Sequence, residues 1–356
     1  MTLRRTSNAD EVSVTRRGTA LDLPGDDAGR GNEPAGRTAF GVTVVLLLAL
    51  ATALRFGQPE RFAWLQNFFV VFGAILLEAM PFVLIGAVAS AVIEVFVPAS
   101  AFERIGRLPT VLQLPCAAAA GMAFPICECG SVPVARRLLR RGLAPGAAVT
   151  FMLAAPILNP VVIASTVVAY HGRPDFWVVV LGRFTLGFIV AVAVGWVIGA
   201  RRPDEVLRKG TIDPDDDDHS PDESRWSRFA GHIAGDFIFM GRFLVVGVAV
   251  AAAIQTVIPQ TLVAKVAGLP VLSIVVMMAL AFVLSLCSES DAFVAASFTQ
   301  FGPAAQLAFL VTGPMIDIKL SALYAGTYSK GFLRAVLVTA SVIILAGTLW
   351  AAVIWG

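Results

Sequence analysis

Apolar residues dominate the chain in long, nearly continuous runs, without the alternating or one-sided patterns of soluble strands and helices. A run of about 20 apolar residues is long enough for a helix to cross the hydrocarbon core of a bilayer. We therefore predict an all-α integral membrane protein. The predicted spanning segments are residues 39–54, 67–97, 145–170, 176–200, 229–258, 269–286, 303–324 and 332–355.

Residues 108–141 do not follow this pattern. An apolar run leads to the polar stretch Cys-Glu-Cys-Gly-Ser, and we expect Gly130 and Pro133 to break the helix there. The helix left over, 132–141, is about 15 Å long and is too short to span. Such breaks at membrane depth need a cavity lined by protein or water, and in transporters they mark the binding site. The stretch 125–142 therefore predicts a solute site.

Charged residues concentrate outside the apolar runs, in the N-terminal tail and in a loop that contains Asp215 to Asp218. Segments this polar cannot bury enough surface to fold alone. We predict a disordered cytoplasmic tail (1–38) and an acidic cytoplasmic linker (201–228). They enclose an N-terminal transmembrane helix with a first membrane repeat (39–200), and a second repeat follows (229–356). The basic tail places the N-terminus on the cytoplasmic side of the membrane by the positive-inside rule.

The two halves align with each other. An offset of 158 residues matches Cys129 with Cys287, Pro145 with Pro303, Pro156 with Pro314 and Asn159 with Asp317, and an offset of 161 matches Phe82 with Phe243 and Gly86 with Gly247. With Pro98 and Pro259, also at the offset of 161, three prolines, a cysteine and a glycine in one order predict two pseudo-symmetric repeats with broken or re-entrant helices. The repeats are inverted if 108–141 is a re-entrant hairpin. If 108–126 crosses fully instead, the following arginines lie outside, against the positive-inside rule.

Composition narrows the function classes. The chain is 57% hydrophobic and 15% charged, with a net charge of +2, whereas a soluble domain is about a quarter charged. Nucleic-acid binding is therefore disfavoured, and four cysteines within or beside apolar runs do not form a secreted disulfide framework. The chain has no Gly-x-x-x-x-Gly-Lys-Ser/Thr motif for a nucleotide. We predict a transporter, not an enzyme, without a cofactor.

Three cysteines stand at the two breaks: Cys127, Cys129 and Cys287. Thiolates bind soft, thiophilic species such as Cu(I), and by the same logic trivalent arsenicals. The alternative is that buried cysteine acts as a small hydrophobe. Cys116, on an alanine-rich stretch, is predicted to be a core residue. No histidine lies near enough to favour structural zinc.

Carboxylates accompany these thiols. Glu128, Glu289 and Asp291 lie at the same breaks, where an ionisable group is expensive and is expected to carry a coupling proton, bind a cation or pair with a base. The alternative is that they cap the N-termini of half-helices.

Asn159 and Asp317 follow Pro156 and Pro314 by three residues, so these four residues are predicted to shape the solute cavity. A kink with a local hydrogen bond is the alternative. Lys319 is expected to pair with Asp317 or to meet an anionic solute. Four arginines, at 136, 137, 140 and 141, are predicted to set topology and to contact lipid headgroups.

Residues 127–133, Cys-Glu-Cys-Gly-Ser-Val-Pro, and residues 151–160, Phe-Met-Leu-Ala-Ala-Pro-Ile-Leu-Asn-Pro, resemble the family of predicted bacterial permeases that includes the ArsP organoarsenical exporters. The resemblance covers about residues 60–355. It implies an inner-membrane permease for a small molecule, with export of trivalent organoarsenicals in some members. Assembly into a homo-oligomer stays open.

Two other functions stay open at this point. One is a permease for another small solute or a metal ion, with structural cysteines. The other is a membrane thiol oxidoreductase, which is disfavoured because a disulfide between Cys127 and Cys129 would close a strained ring.

Overall fold

Every regular element in the described part of the chain is a helix. The structure is a computed structural model that describes residues 63–96, 109–124, 126–208, 225–257 and 270–355. The predicted first span, the N-terminal tail and most of the acidic linker lie outside these residues. The helices are α1 (Ala63–Phe96), α2 (Thr110–Ala123), α3 (Glu128–Arg140), α4 (Pro145–Leu158), α5 (Pro160–Tyr170), α6 (Phe176–Gly199), α7 (Pro203–Val206), α8 (Arg225–Val257), α9 (Pro270–Leu284), α10 (Asp291–Ser297), α11 (Pro303–Thr312), α12 (Ile318–Thr327) and α13 (Lys330–Trp355).

Five stretches among the described residues are long and apolar enough to cross a membrane, which confirms the predicted all-α, multi-pass class. They are Trp64–Ile93, Pro145–Tyr170, Phe176–Gly199, Trp226–Thr256 and Lys330–Ile354. The predicted span 303–324 is instead two helices of 10 residues each, α11 and α12. Pro314 lies between them, and its missing N–H cannot continue the helical ladder.

Helix lengths recur along the chain. From α1 to α6 the helices have 34, 14, 13, 14, 11 and 24 residues. From α8 to α13 they have 33, 15, 7, 10, 10 and 26. Helices α2, α4 and α6 pack together, and so do α9, α11 and α13; in contrast, α1 packs on α3, whereas α8 packs on α12. The internal duplication and its inversion stay predictions.

The first helix break lies earlier than predicted. Helix α3 begins at Glu128, so Gly130 and Pro133 lie inside it and do not end it. Gly130 serves packing, since a Cβ there would lie 2.8 Å from the Phe82 carbonyl oxygen and 3.3 Å from the Gly86 Cα. Two facing glycines thus let α1 and α3 approach closely. Pro133 costs α3 only one hydrogen bond, to the Cys129 carbonyl.

This close approach predicts the effect of adding a methyl group. We expect Gly86→Ala to lower the free energy of unfolding by about 1–3 kcal/mol, because the Cβ would overlap the backbone of Gly130. The matched control is Gly73→Ala on the same helix, where a Cβ meets nothing within 4 Å. The measurement is denaturation of the purified full-length protein in detergent. Equal stability of the two variants would contradict the packing described.

Candidate functional site

The two helix breaks meet each other. One lies between α2 and α3, and the other, residues 285–290, lies between α9 and α10. The Ser288 hydroxyl in the second break donates to Glu128 Oε2 of the first at 3.1 Å. Both residues are buried. The contact brings residues 160 positions apart to one site.

Each half-helix starts with a buried carboxylate. Glu128 is the first residue of α3, and Asp291 is the first residue of α10. The partial positive charge of a helix N-terminus favours a carboxylate at this position. Each carboxylate also pairs with a base from the other half of the chain. Glu128 pairs with Lys319 at 2.9 Å, and Asp291 pairs with Arg183 at 2.9 Å.

Lys319 is the centre of the site. Its Nζ lies 2.9 Å from Glu128 Oε1 and 3.7 Å from Asp317 Oδ2. It also donates to the Ser285 carbonyl at 2.9 Å and lies 3.9 Å from Cys287 Sγ. The sequence predicted Asp317 as its partner, but the shorter ion pair is with Glu128. The start of α12 lies close against α8, because a Cβ at Gly247 of α8 would lie 2.8 Å from the Lys319 Cα.

Ser285 holds this arrangement in place. Its φ of 48° lies in the left-handed region, which is unusual for a residue other than glycine and is associated with functional sites. The hydroxyl donates to the Phe282 carbonyl at 3.1 Å and accepts from the Ile318 N–H at 3.2 Å. Ser285 therefore ties the end of α9 to the start of α12, and it directs its carbonyl at Lys319.

Arg183 anchors the second break. It lies on α6 and is fully buried. One terminal nitrogen donates to Thr166 Oγ1 at 2.8 Å, and the other donates to Asp291 Oδ2 at 2.9 Å and to the Ser288 carbonyl at 3.1 Å. A planar guanidinium satisfies several acceptors at once in a fixed geometry. The break is thereby attached to α5 and α6 of the other half.

The three thiols predicted as ligands are free and buried near these charges. Cys127 and Cys129 hydrogen-bond with each other, and Cys287 is close enough to both for electrostatic interaction. Within the described ranges, no group of three or more His, Cys, Asp or Glu side chains is arranged to hold a metal ion. Cys116 is exposed on α2, so its prediction as a core residue was wrong.

Asn159 and Asp317 occupy matched places as helix caps. Asn159 Oδ1 accepts from the Val161 N–H at 2.9 Å, and Asp317 Oδ1 accepts from the Leu320 N–H at 2.6 Å. The local hydrogen bond of the alternative interpretation is therefore present at both. Pro156 lies inside α4, and Pro314 lies in the turn before α12. Asp317 also belongs to the charged site through Lys319, whereas Asn159 caps α5.

Glu289 is the most accessible carboxylate of the second break. It is half-buried, and its Oε2 lies 3.4 Å from the Ser288 hydroxyl. The neighbouring Ser290 hydroxyl lies 3.3 Å from Oε1 of Glu78, which is exposed on α1. The sequence placed Glu289 together with Glu128 and Asp291. The structure joins Glu289 to Glu128 through one hydroxyl.

A second buried ionic cluster lies near the end of α3. Arg137 is 3.3 Å and Arg136 is 3.8 Å from the carboxylate of Asp236 on α8, and Ser90 of α1 donates to the same carboxylate at 2.7 Å. The predicted contact with lipid headgroups is therefore wrong for Arg136 and Arg137. Asp236 gives the two arginines a partner inside the protein, which the sequence of α3 alone does not reveal. The signal for this partner in the sequence was an aspartate within the apolar run 229–258.

Residues 64–353 match a family described as "Predicted permease". The UPF0718 protein YcgR of Bacillus subtilis is 39% identical over 285 residues, which cover 78% of this chain and 95% of that protein. A Streptococcus mutans protein named putative two-component membrane permease complex subunit is 32% identical over 278 residues, covering 77% of this chain and 91% of that protein. No solved structure gives a significant match.

The Arg183 anchor predicts a large loss of stability when it is removed. We expect Arg183→Met to lower the free energy of unfolding by about 3–5 kcal/mol, because Asp291 would be buried without its partner. The double variant Arg183→Met with Asp291→Asn should recover most of this loss. Denaturation of the purified full-length protein measures both.

The control is Asp175→Asn, which weakens the partly exposed pair with Arg173 at 3.1 Å and leaves the Arg173 hydrogen bond to the Ala296 carbonyl in place. We expect a loss of about 1 kcal/mol or less there. If the Arg183 variant were no less stable than this control, or if the double variant recovered nothing, the anchoring role would be excluded.

Proposed function

The chain belongs to the predicted permease family, and from this membership we propose that it is a secondary transporter that exports a small thiophilic solute, such as a trivalent organoarsenical, across the bacterial inner membrane. Membership confirms the resemblance predicted from the motifs at 127–160. The observation that supports the solute class is the pair of buried thiols, Cys127 and Cys129, with Cys287 in the break that faces them.

Two thiols match the chemistry of such a solute. A trivalent arsenic that carries one organic group has two exchangeable hydroxyls. Each hydroxyl is replaced by a cysteine sulfur: one As–O bond breaks, one As–S bond forms, and the thiol proton leaves with the hydroxide as water. Cys127 and Cys129 would bind the solute on one side, and Cys287 would accept it by thiol exchange on the other. No oxidant or reductant is consumed.

The helix breaks supply the place for this exchange. Irregular backbone at membrane depth lines binding sites in transporters built from two repeats, which rock against each other around the solute. In this proposal Glu128 and Glu289 are the coupling carboxylates, whereas Asp291, which the sequence grouped with them, is held in place by Arg183. The matched residues Asn159, Asp317, Pro156 and Pro314 shape the cavity. The N-terminus and the 201–228 linker lie on the cytoplasmic side.

A second candidate is a permease for a metal ion or another small solute, in which the cysteines are structural. The observation that favours it is the burial of all three thiols, since a buried cysteine also packs as a small hydrophobe without any solute.

We also propose that the chain works with a second membrane subunit. The Streptococcus mutans relative carries the name of a complex subunit. Affinity purification of the tagged full-length chain from its native membrane checks this. A second membrane protein in constant ratio would support it, and a homo-oligomer or a monomer would exclude it.

The thiol proposal predicts a resistance phenotype. Expression of the chain in an arsenic-sensitive bacterial strain should raise tolerance to methylarsenite. The triple variant Cys127→Ser, Cys129→Ser and Cys287→Ser should return tolerance to that of the empty vector, because the two-sulfur ligand is lost. Growth at graded methylarsenite concentrations measures this, with protein level checked by immunoblot.

Cys116→Ser is the matched control, because this thiol is exposed and lies outside the site. It should leave tolerance unchanged. Unchanged growth with the wild-type chain would exclude the organoarsenical. Tolerance that survives the triple variant but not Glu128→Gln would favour the second candidate.

A further inference from the structure

A chain of proton-exchanging groups leads from the half-buried Glu289 into the protein. The Ser288 hydroxyl lies 3.4 Å from Glu289 Oε2 and 3.1 Å from Glu128 Oε2. The other oxygen of Glu128 lies 2.9 Å from Lys319 Nζ, which is 3.7 Å from Asp317 Oδ2. Beyond Glu289, every member is buried. The five residues come from both breaks and from the start of α12.

The charges along this chain do not balance. The other buried carboxylates have guanidinium partners: Asp291 pairs with Arg183, and Asp236 with Arg136 and Arg137. In contrast, Glu128 and Asp317 share the single ammonium of Lys319.

A buried carboxylate without a counter-charge costs several kcal/mol and is relieved by binding a proton. Asp317 Oδ2 is buried and makes no hydrogen bond within the described part of the chain. Its only short approach to a base is the 3.7 Å to Lys319. One proton bound by the trio, in addition to those of the ammonium, would remove this excess negative charge.

Among the residues that the structure describes, Lys319 is the base that faces both carboxylates. Glu128 is faced by Glu289 and Ser288 from the second break, and by the thiols of Cys127, Cys129 and Cys287. Asp317 is faced by Lys319 and by the phenol of Tyr324. Arg183 is occupied by Asp291 and Thr166.

We propose that Glu289, Ser288, Glu128, Lys319 and Asp317 form the proton-coupling site of the permease, in which Lys319 exchanges Glu128 for Asp317 when a proton reaches Glu128. The inference rests on the proposed transport function and identifies its driving ion. A proton enters at Glu289 and passes through the Ser288 hydroxyl to Glu128. Lys319 then pairs with Asp317, whose own proton leaves to bulk water. Each exchange takes up one proton and releases one.

This exchange changes how the two halves are connected. Glu128 belongs to α3 of the first half, whereas Lys319 and Asp317 both belong to the start of α12. A proton on Glu128 thus converts an ion pair between the halves into one within a single helix end. Ser285, on the same side as Asp317, keeps its carbonyl on the ammonium as a fixed point. The Cys287 thiol, 3.9 Å from Lys319, is uncovered by the movement.

The first test separates coupling from binding. Proteoliposomes that contain the wild-type permease should accumulate methylarsenite when a proton gradient is applied. Glu128→Gln and Asp317→Asn should reduce this to the level seen without a gradient, yet the purified variants should still bind methylarsenite, since their three thiols are unchanged. Glu205→Gln, which changes an exposed carboxylate on α7, is the control and should behave as wild type.

Two results would overturn the proposal. Gradient-driven accumulation by either variant at the wild-type rate would show that no proton passes through it. Loss of methylarsenite binding as well, in a protein that is still monodisperse, would make the residue part of solute binding alone.

The second test needs no solute. In the purified full-length protein, mass spectrometry measures the alkylation of Cys287 divided by that of the exposed Cys116. Taking this ratio corrects for the pH dependence of the reagent. The ratio should rise severalfold from mildly alkaline to mildly acidic buffer in the wild type, and it should be high in both buffers for Glu128→Gln. A pH-independent ratio in the wild type, or a wild-type response in the variant, overturns the coupling site. If methylarsenite is not transported, the solute proposal fails, and this ratio still decides the coupling.

Discussion

The buried ion pair between Lys319 and Glu128 is the contact on which the rest of the site depends. Its two charges come from different halves of the chain and lie 2.9 Å apart in a fully buried position. Removing either charge would leave the other without compensation, which is far more costly than losing an exposed pair. Neither helix break can therefore be stable without the opposite half, and the half-helix α3 exists at this depth because α12 supplies its counter-charge.

The chemistry of the two bases gives the two breaks different roles. Arg183 presents a rigid fork that satisfies Thr166, Asp291 and the second break's backbone together, so moving it would break several bonds at once. Lys319 is a point charge on a flexible stem, with two carboxylates within 4 Å. An ammonium can change partners by rotating its stem, whereas a guanidinium held on three sides cannot. One break is thus fixed, and the other is adjustable.

Much of the fold follows from hydropathy and proline positions, because span length and helix termination are local properties of the chain. The offset that matches Cys129 with Cys287 predicts equivalent helix breaks in the two halves, and the structure brings these breaks together through Ser288 and Glu128. Predictions from the sequence were wrong for some glycines and charged residues, because the role of each depends on a residue that is distant in the chain. Gly130 predicts a helix break, but it packs against Gly86, and Arg137 predicts a headgroup contact, but it pairs with Asp236. The sequence shows that such residues are unusual for their surroundings, but it does not identify their partners.

The proposed solute ligands and the proposed coupling groups are neighbours in this site. Cys287 lies 3.9 Å from the ammonium that pairs with Glu128, and Glu128 itself stands between Cys127 and Cys129 in sequence. In the proposed mechanism, a proton or a solute that arrives here changes the same contacts, so coupling needs no relay through the body of the protein. Proton binding and solute binding are coupled directly when both act on one contact that has two arrangements. Lys319 offers two arrangements, because one movement of its side chain takes the ammonium from Glu128 to Asp317.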